Sequence, residues 1–240
     1  MRALLFATAL LMLSACQKTV KQEPPVAAKA FGSAIAMVSG EKQLAGLGQV
    51  LEQPVVVQVN DDKGTAVTGA LVEFDSPDGV TFTPAHGLTG SDGQLTTSAA
   101  LGGMSGHAVI RALTRVKSGK TAEVKIDETA LGYQQTVGRE LSDKYCSRCH
   151  DSESTAERVS NHDNLSKPPP AFSEGAIFNA VSDANLTATI AHGGQALSKS
   201  TEMPPFGGTL SKPDIGALIA YIRVVADPVY HPQGVSYGDK

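Results

Sequence analysis

The sequence predicts two folded units of different class, an all-β antiparallel sandwich followed by an all-α domain. Three observations carry that expectation. Between residues 34 and 128 the apolar residues alternate in short runs broken by turn signals such as SPDG and GSDG. From Tyr133 to about residue 227 the period becomes helical. The chain has 240 residues, enough for two modest domains, and its 41% hydrophobic and 18% charged content is that of a globular protein rather than a disordered one.

The elements follow in order. The opening stretch MRALLFATALLMLSAC places a positive charge at Arg2, an apolar run from Ala3 to Leu13 and small residues before Cys16. That run is short for a membrane-spanning helix. Leu13-Ser14-Ala15-Cys16 resembles a bacterial lipobox; the alternative is an ordinary signal peptide that ends near a Cys. The resemblance implies a signal peptide over residues 1–15, cleavage before Cys16 and a diacylglycerol on its thiol, so the chain meets the membrane through its N-terminal lipid. Several acyl chains on one residue hold firmly where a single chain binds marginally. Gln17, in place of the Asp that favours inner-membrane retention, implies the outer membrane if the host is Gram-negative. The expected location is the bacterial cell envelope, facing the periplasm. Residues 16–33 are polar, contain Pro and show no period, so a flexible tether is expected. The net charge of -4 without any block of Lys and Arg argues against a nucleic-acid partner.

In PVVVQVNDDKG, Val55, Val57 and Val59 alternate with Val56 and Gln58 before an Asn/Asp/Gly turn. Further strands are expected over Ala70–Phe74, Val80–Thr83, Gln94–Ala99, His107–Ala112 and Ala122–Ile126, a spacing that reads as a sandwich. The stretches GLGQVLEQPVVVQVNDDKGTAVTGALVEF and GLTGSDGQLTTSAALGGMSGHAVIRA resemble bacterial Ig-like repeats of the invasin and intimin type. The resemblance implies an Ig-like sandwich over residues 34–128 that serves as a spacer or docking module. This segment has neither Cys nor Trp, so its core holds without a disulfide. Met104 and His107 read as ordinary sandwich residues.

The helical part begins with QTVGRELSDKYCSRCH, which sets Val137, Leu141 and Tyr145 on one face. Ser173 is expected to cap a short helix through Ala176, Ile177 and Val181, and Asp183 a second one that ends at Gly193 and Gly194. Ser211-Lys212-Pro213-Asp214 reads as a capping box ahead of the stripe Ile215, Leu218, Ile219 and Ile222.

YCSRCH raises a choice of chemistry for Cys146, Cys149 and His150. A zinc site needs a further ligand cluster, and the chain's third Cys is Cys16; His162 is the nearest spare imidazole. A thiol redox pair belongs in a βαβ setting, whereas this motif ends an amphipathic helix. Haem attachment uses all five residues: two thiols one helical turn apart add to the vinyl groups as thioethers, and the adjacent His reaches the iron. A distal ligand is then required further along, and TEMPPFGG supplies Met203 followed by two prolines. His192 is the rival distal ligand, with His162 and His231 behind it.

With these residues in place, residues 133–227 resemble a class I cytochrome c domain, leaving 228–240 as a C-terminal tail. The resemblance implies one covalently attached haem c, with Cys146 and Cys149 as thioethers, His150 as proximal and Met203 as distal iron ligand. It implies a close crossing of the first and last helices at Gly138 against Tyr221. It also implies that the Pro170 carbonyl accepts the His150 Nδ1 proton and that Phe172 packs where the family has Leu. The run Pro168–Pro170 leaves that register open by a residue. Tyr145, Ile177, Phe206 and Leu218 join Phe172 as the expected apolar surroundings. A His/Met pair fills both axial positions, so the implied function is one-electron transfer between redox proteins of the cell envelope rather than catalysis. Two alternatives stand beside it: a haem enzyme or gas or redox sensor with a labile or absent Met ligand, and an Ig-mediated interaction protein with an accessory haem.

Overall fold

The computed structural model describes residues 27–151 and 159–232. The expected signal peptide, Cys16, Gln17, most of the tether and residues 233–240 of the tail lie outside the described residues. Among the described residues the chain folds as expected, with an all-β region followed by a helical one.

The β region packs two sheets. One has the order β1-β3-β7-β5, with β1 at Ala34–Ser39, β3 at Val55–Asn60, β5 at Thr81–Thr83 and β7 at Gln94–Ala100. The other has the order β2-β9-β8-β4-β6, with β2 at Leu44–Gly46, β4 at Leu71–Asp75, β6 at His86–Leu88, β8 at Gly106–Arg115 and β9 at Thr121–Leu131. The alternation read in the sequence sets the inner faces. Val55, Val57 and Val59 are each 0% exposed and face Ile110, Ala112 and Ile126 across one core. Each such fully buried Val contributes about 1.5–3 kcal/mol of apolar transfer.

Pairing is antiparallel except that β2 runs parallel to β9. This departs from a purely antiparallel sandwich and has a topological cause. The chain leaves β1 in the same direction as β9 and crosses to the second sheet, where β2 joins its edge without reversing. The last strand runs to Leu131, and Gly132 alone separates it from the first helix.

The helical region comprises α1 (Tyr133–Tyr145), α2 (Ser147–His150), α3 (Gly175–Phe178), α4 (Asp183–His192) and α5 (Lys212–Val224). Its core gathers Leu186, Ile190, Leu210, Ile215, Leu218, Ile219 and Ile222. The Ser211/Asp214 capping box forms as read, with Asp214 N–H donating to Ser211 Oγ and Ser211 N–H to Asp214 Oδ2.

Two caps differ from expectation. Ser182, not Asp183, caps α4: its Oγ accepts from Asn185 N–H at 3.2 Å. Asp183 instead takes the Arg223 guanidinium at 2.7 Å. Ser173 does not cap α3, whose N-cap is Glu174 without a side-chain bond and which ends at Phe178, short of Val181. The Ser173 carbonyl accepts the Asp227 N–H at 2.9 Å, so this backbone is committed to the segment after α5.

α1 and α5 cross in contact at Gly138. A Cβ there would lie against the Ala217 carbonyl and 2.7 Å from Tyr221 Cβ, which is why the position holds Gly. The two regions also touch where Arg139 Nη1 on α1 donates to the Leu44 carbonyl on β2 at 3.0 Å.

Candidate functional site: a cavity between the CxxCH turn and the Met203 loop

The CxxCH segment sits on a tight turn of helix. α1 ends at Tyr145, and the Cys146 carbonyl accepts the N–H groups of both Cys149 and His150 at 3.0 Å. Ser147 turns inward and donates to the carbonyls of Ser142 and Asp143, locking that turn to the end of α1. Cys146, Cys149 and His150 are thereby half-buried and line one cavity.

His150 is oriented from behind. Its Nδ1 lies 2.9 Å from the Pro170 carbonyl, the register expected within the proline run. A carbonyl only accepts, so Nδ1 carries the hydrogen and Nε2 keeps the lone pair a metal needs. The Phe172 ring packs on the imidazole at 4.6 Å between centroids and meets Phe178 edge-on at 5.4 Å. Burial holds the imidazole pKa below its ordinary value, which favours the neutral, ligating form. Burial, with the neighbouring Cys149 and Asp143, pushes the Cys146 thiol up to about 12. A nucleophilic redox cysteine has a depressed pKa, so Cys146 itself is not set up as an attacking thiolate.

Met203 enters the same cavity from a loop moored to the end of α4. Gly194 N–H donates to the Met203 carbonyl at 3.1 Å, while Phe206 and Gly207 donate their N–H groups to the carbonyls of Ile190 and Ala191 at 2.9 Å. The loop therefore satisfies carbonyls that the end of a helix leaves without intrahelical partners. Gly193, with φ of 82°, lets the backbone approach: a Cβ there would meet the Met203 carbonyl at 2.8 Å.

The cavity measures about 800 Å³, within the ~300–1,000 Å³ of cofactor sites. Every site residue expected from the sequence in this region lines it: Tyr145, Cys146, Cys149, His150, Pro170, Phe172 and Met203. So do the expected apolar neighbours Ile177, Phe206 and Leu218. His162 lines it as well, but its ring is engaged by Asp163 at 3.0 Å and the Pro169 carbonyl at 3.2 Å. His192 and His231 are exposed and do not line it. Cys16 lies outside the described residues.

Sequence reading did not single out Glu202. Its carboxylate accepts from Ser166 N–H at 3.1 Å and from Ser166 Oγ at 2.8 Å, bonds that hold its pKa below the usual carboxylate range. An acidic residue beside a Met carries no motif, so only the fold reveals this pairing.

The residues present fit a covalently held haem. Two thiols stand one helical turn apart, an imidazole keeps an Nε2 with no hydrogen-bond partner among the described residues, a thioether arrives from another element, and the remaining walls are largely apolar. A helical domain built around such a set is a c-type cytochrome domain. A family model described as cytochrome c oxidase, cbb3-type, subunit III matches residues 134–222.

No curated protein matches the chain. Among solved structures the chain is similar to the Yersinia pseudotuberculosis adhesin InvE, at 15% identity and a TM-score of 0.33, covering 41% of this chain and 32% of that one. It is also similar to the D00-D0 domain of intimin, at 16% identity and a TM-score of 0.31, covering 43% and 50%. Invasin, a bacterial integrin-binding protein, is similar at 19% identity and a TM-score of 0.30, covering 40% and 19%. The chain thus spans half or less of each of these structures.

Proposed function

We propose that this chain is a lipid-anchored, monohaem electron carrier of the bacterial cell envelope, with the β-sandwich as a spacer or docking module. One observation carries the reading: a single cavity receives Cys146, Cys149 and His150 from the end of α1 and Met203 from the loop after α4. Bound there, a haem c supplies a one-electron ferrous/ferric couple. Cys146 and Cys149 would hold the macrocycle and Met203 would offer the second ligand, while His150 is fixed in tautomer and direction by the Pro170 carbonyl. A soft thioether raises the potential, and a filled axial pair leaves no place for a substrate. The walls around these residues are largely apolar, and Ile177, which lines the cavity and is 48% exposed, marks where it nears the surface.

Partners on this reading are redox proteins met in transient, polar, salt-sensitive encounters. Lipidation of Cys16, followed by Gln17, favours the outer over the inner membrane in a Gram-negative host. The test is an absorption spectrum of the purified mature protein, oxidised and then reduced. Sharp reduced bands of a covalent haem together with a far-red thioether–iron band when oxidised are expected. A covalent haem without the far-red band would turn the reading toward a haem enzyme or sensor. Absence of haem after expression in a host able to attach it would end it.

A further inference from the structure

The segment that orients His150 and the segment that carries Met203 are joined at the rim of the cavity. The first runs from His162 to Pro170 and ends on the carbonyl that receives His150 Nδ1. The second returns from the end of α4 through Ser200, Thr201 and Glu202 to Met203. Downstream of Met203 the loop is moored to α4 through Phe206 and Gly207, and upstream Lys199 N–H donates to the Gly194 carbonyl at 2.9 Å. Between those moorings, Glu202 reaches across to the other segment. Both of its carboxylate oxygens accept from Ser166, one from the N–H at 3.1 Å and the other from the hydroxyl at 2.8 Å. A local turn, Glu202 N–H to Ser200 Oγ at 3.1 Å and Ser200 Oγ to Glu202 Oε2 at 3.3 Å, aims the side chain outward for that contact.

We propose that Glu202 is a positioning residue, a clasp onto Ser166 that keeps the adjacent Met203 thioether at the iron when the iron is ferric. This rests on the reading of Met203 as a distal ligand. A thioether is a weak partner for ferric iron, so its retention depends on how completely the loop is held in the binding conformation. Two charge-assisted hydrogen bonds to a segment distant in sequence restrict the loop, and losing them raises the fraction of time Met203 spends away from the iron. A competing imidazole then captures that detached state.

The experiment compares full-length haem-loaded proteins: wild type, Ser166→Ala, Glu202→Ala and the double variant. The readouts are the rate of imidazole uptake by the ferric protein and the strength of the thioether–iron band. Glu202→Ala is expected to take up imidazole roughly three- to tenfold faster, and Ser166→Ala, which keeps the backbone donor, to show a smaller acceleration. Ser166→Ala should add nothing in the Glu202→Ala background, because the two residues act as one unit. Reduced haem bands should be the same in all four. Unchanged uptake in Glu202→Ala, or acceleration there with Ser166→Ala at the wild-type rate, would overturn the clasp, the latter as a mere effect of charge. If Glu202→Ala does not accumulate, Glu202→Gln serves the same comparison. A wild type with covalent haem but no thioether band overturns the ligand assignment itself, and is seen before any variant is made.

Discussion

Glu128 is a carboxyl group inside the sandwich, 1% exposed, placed on the inner face of β9 next to Ile126 and Ala130. Its Oε2 accepts the Gln43 N–H at 2.6 Å, while its Oε1 has no partner among the described residues. Burial raises its pKa from the ordinary 4.5 to about 7 against the opposing Gln43 bond, with Asp127 and Glu41 adding to the rise. Between those two values the folded state keeps a proton that the unfolded chain has released. The contribution of Glu128 to stability therefore falls as pH rises from about 4.5 to about 7. The loss is on the order of 3 kcal/mol. Glu128→Gln should remove that slope and melt higher at pH 8; an unchanged slope in thermal melts across this range would refute the assignment. At this scale the residues that converge on the cavity were legible, because CxxCH and Met-Pro-Pro stand out as residue types in the string. Glu128 and Glu202 were not, because a carboxylate announces neither its burial nor its partner in a linear string.

Among elements, the crossing of α1 on α5 is the contact that holds the CxxCH turn over the helical core. It depends on Gly138, where any Cβ must displace the Ala217 backbone. Gly138→Ala gains helix propensity but overpacks a backbone contact, so the crossing loses. The expected cost is roughly 2–3 kcal/mol in denaturant unfolding of the haem-loaded protein. An unfolding midpoint equal to that of the wild type would show that the helices have room to part. The strands with clear alternation, such as β3 and β8, and the capped stripe of α5 were legible because burial on one face imposes a period, whereas β9 was expected only over Ala122–Ile126 and runs on to Leu131. The three-residue strands β2 and β6 are shorter than any period, and β1 buries only Ile35, so none of the three was resolved by pattern. The α4 cap shifted because Arg223 claims the Asp183 carboxylate that local propensity had assigned to the helix start, and at α3 the Ser173 backbone is tied to Asp227 outside the helix.

For the whole molecule, a helical domain built around a cavity of about 800 Å³ leaves its apolar lining short of contacts until that space is filled, so we expect its stability to depend on the bound group. Replacing Cys146 and Cys149 by Ala should yield a chain whose β-sandwich still melts cooperatively while the helical circular dichroism is largely lost. A native-like melt of the helical domain in that variant would contradict this. The sequence announced both fold classes but not how the domains meet, since the Arg139 bond to the Leu44 carbonyl involves residues far apart with no shared pattern.

That meeting has a mechanical side. The described chain joins the sandwich at Ala30 and Gly32, beside Ala70 and Val116, and leaves it at Leu131, at the end where Gly106 pairs with Ala130. These points lie at opposite ends of strands some 30 Å long. β1 and β9 both run from the first end toward the second. A pull between the N-terminal side and the helical domain is therefore directed along the strands and across ladder bonds that stand perpendicular to them. The bonds of β1 and β9 are loaded together, in shear, rather than opened one after another, and a protein tugged at both ends would yield last where its sandwich carries the load.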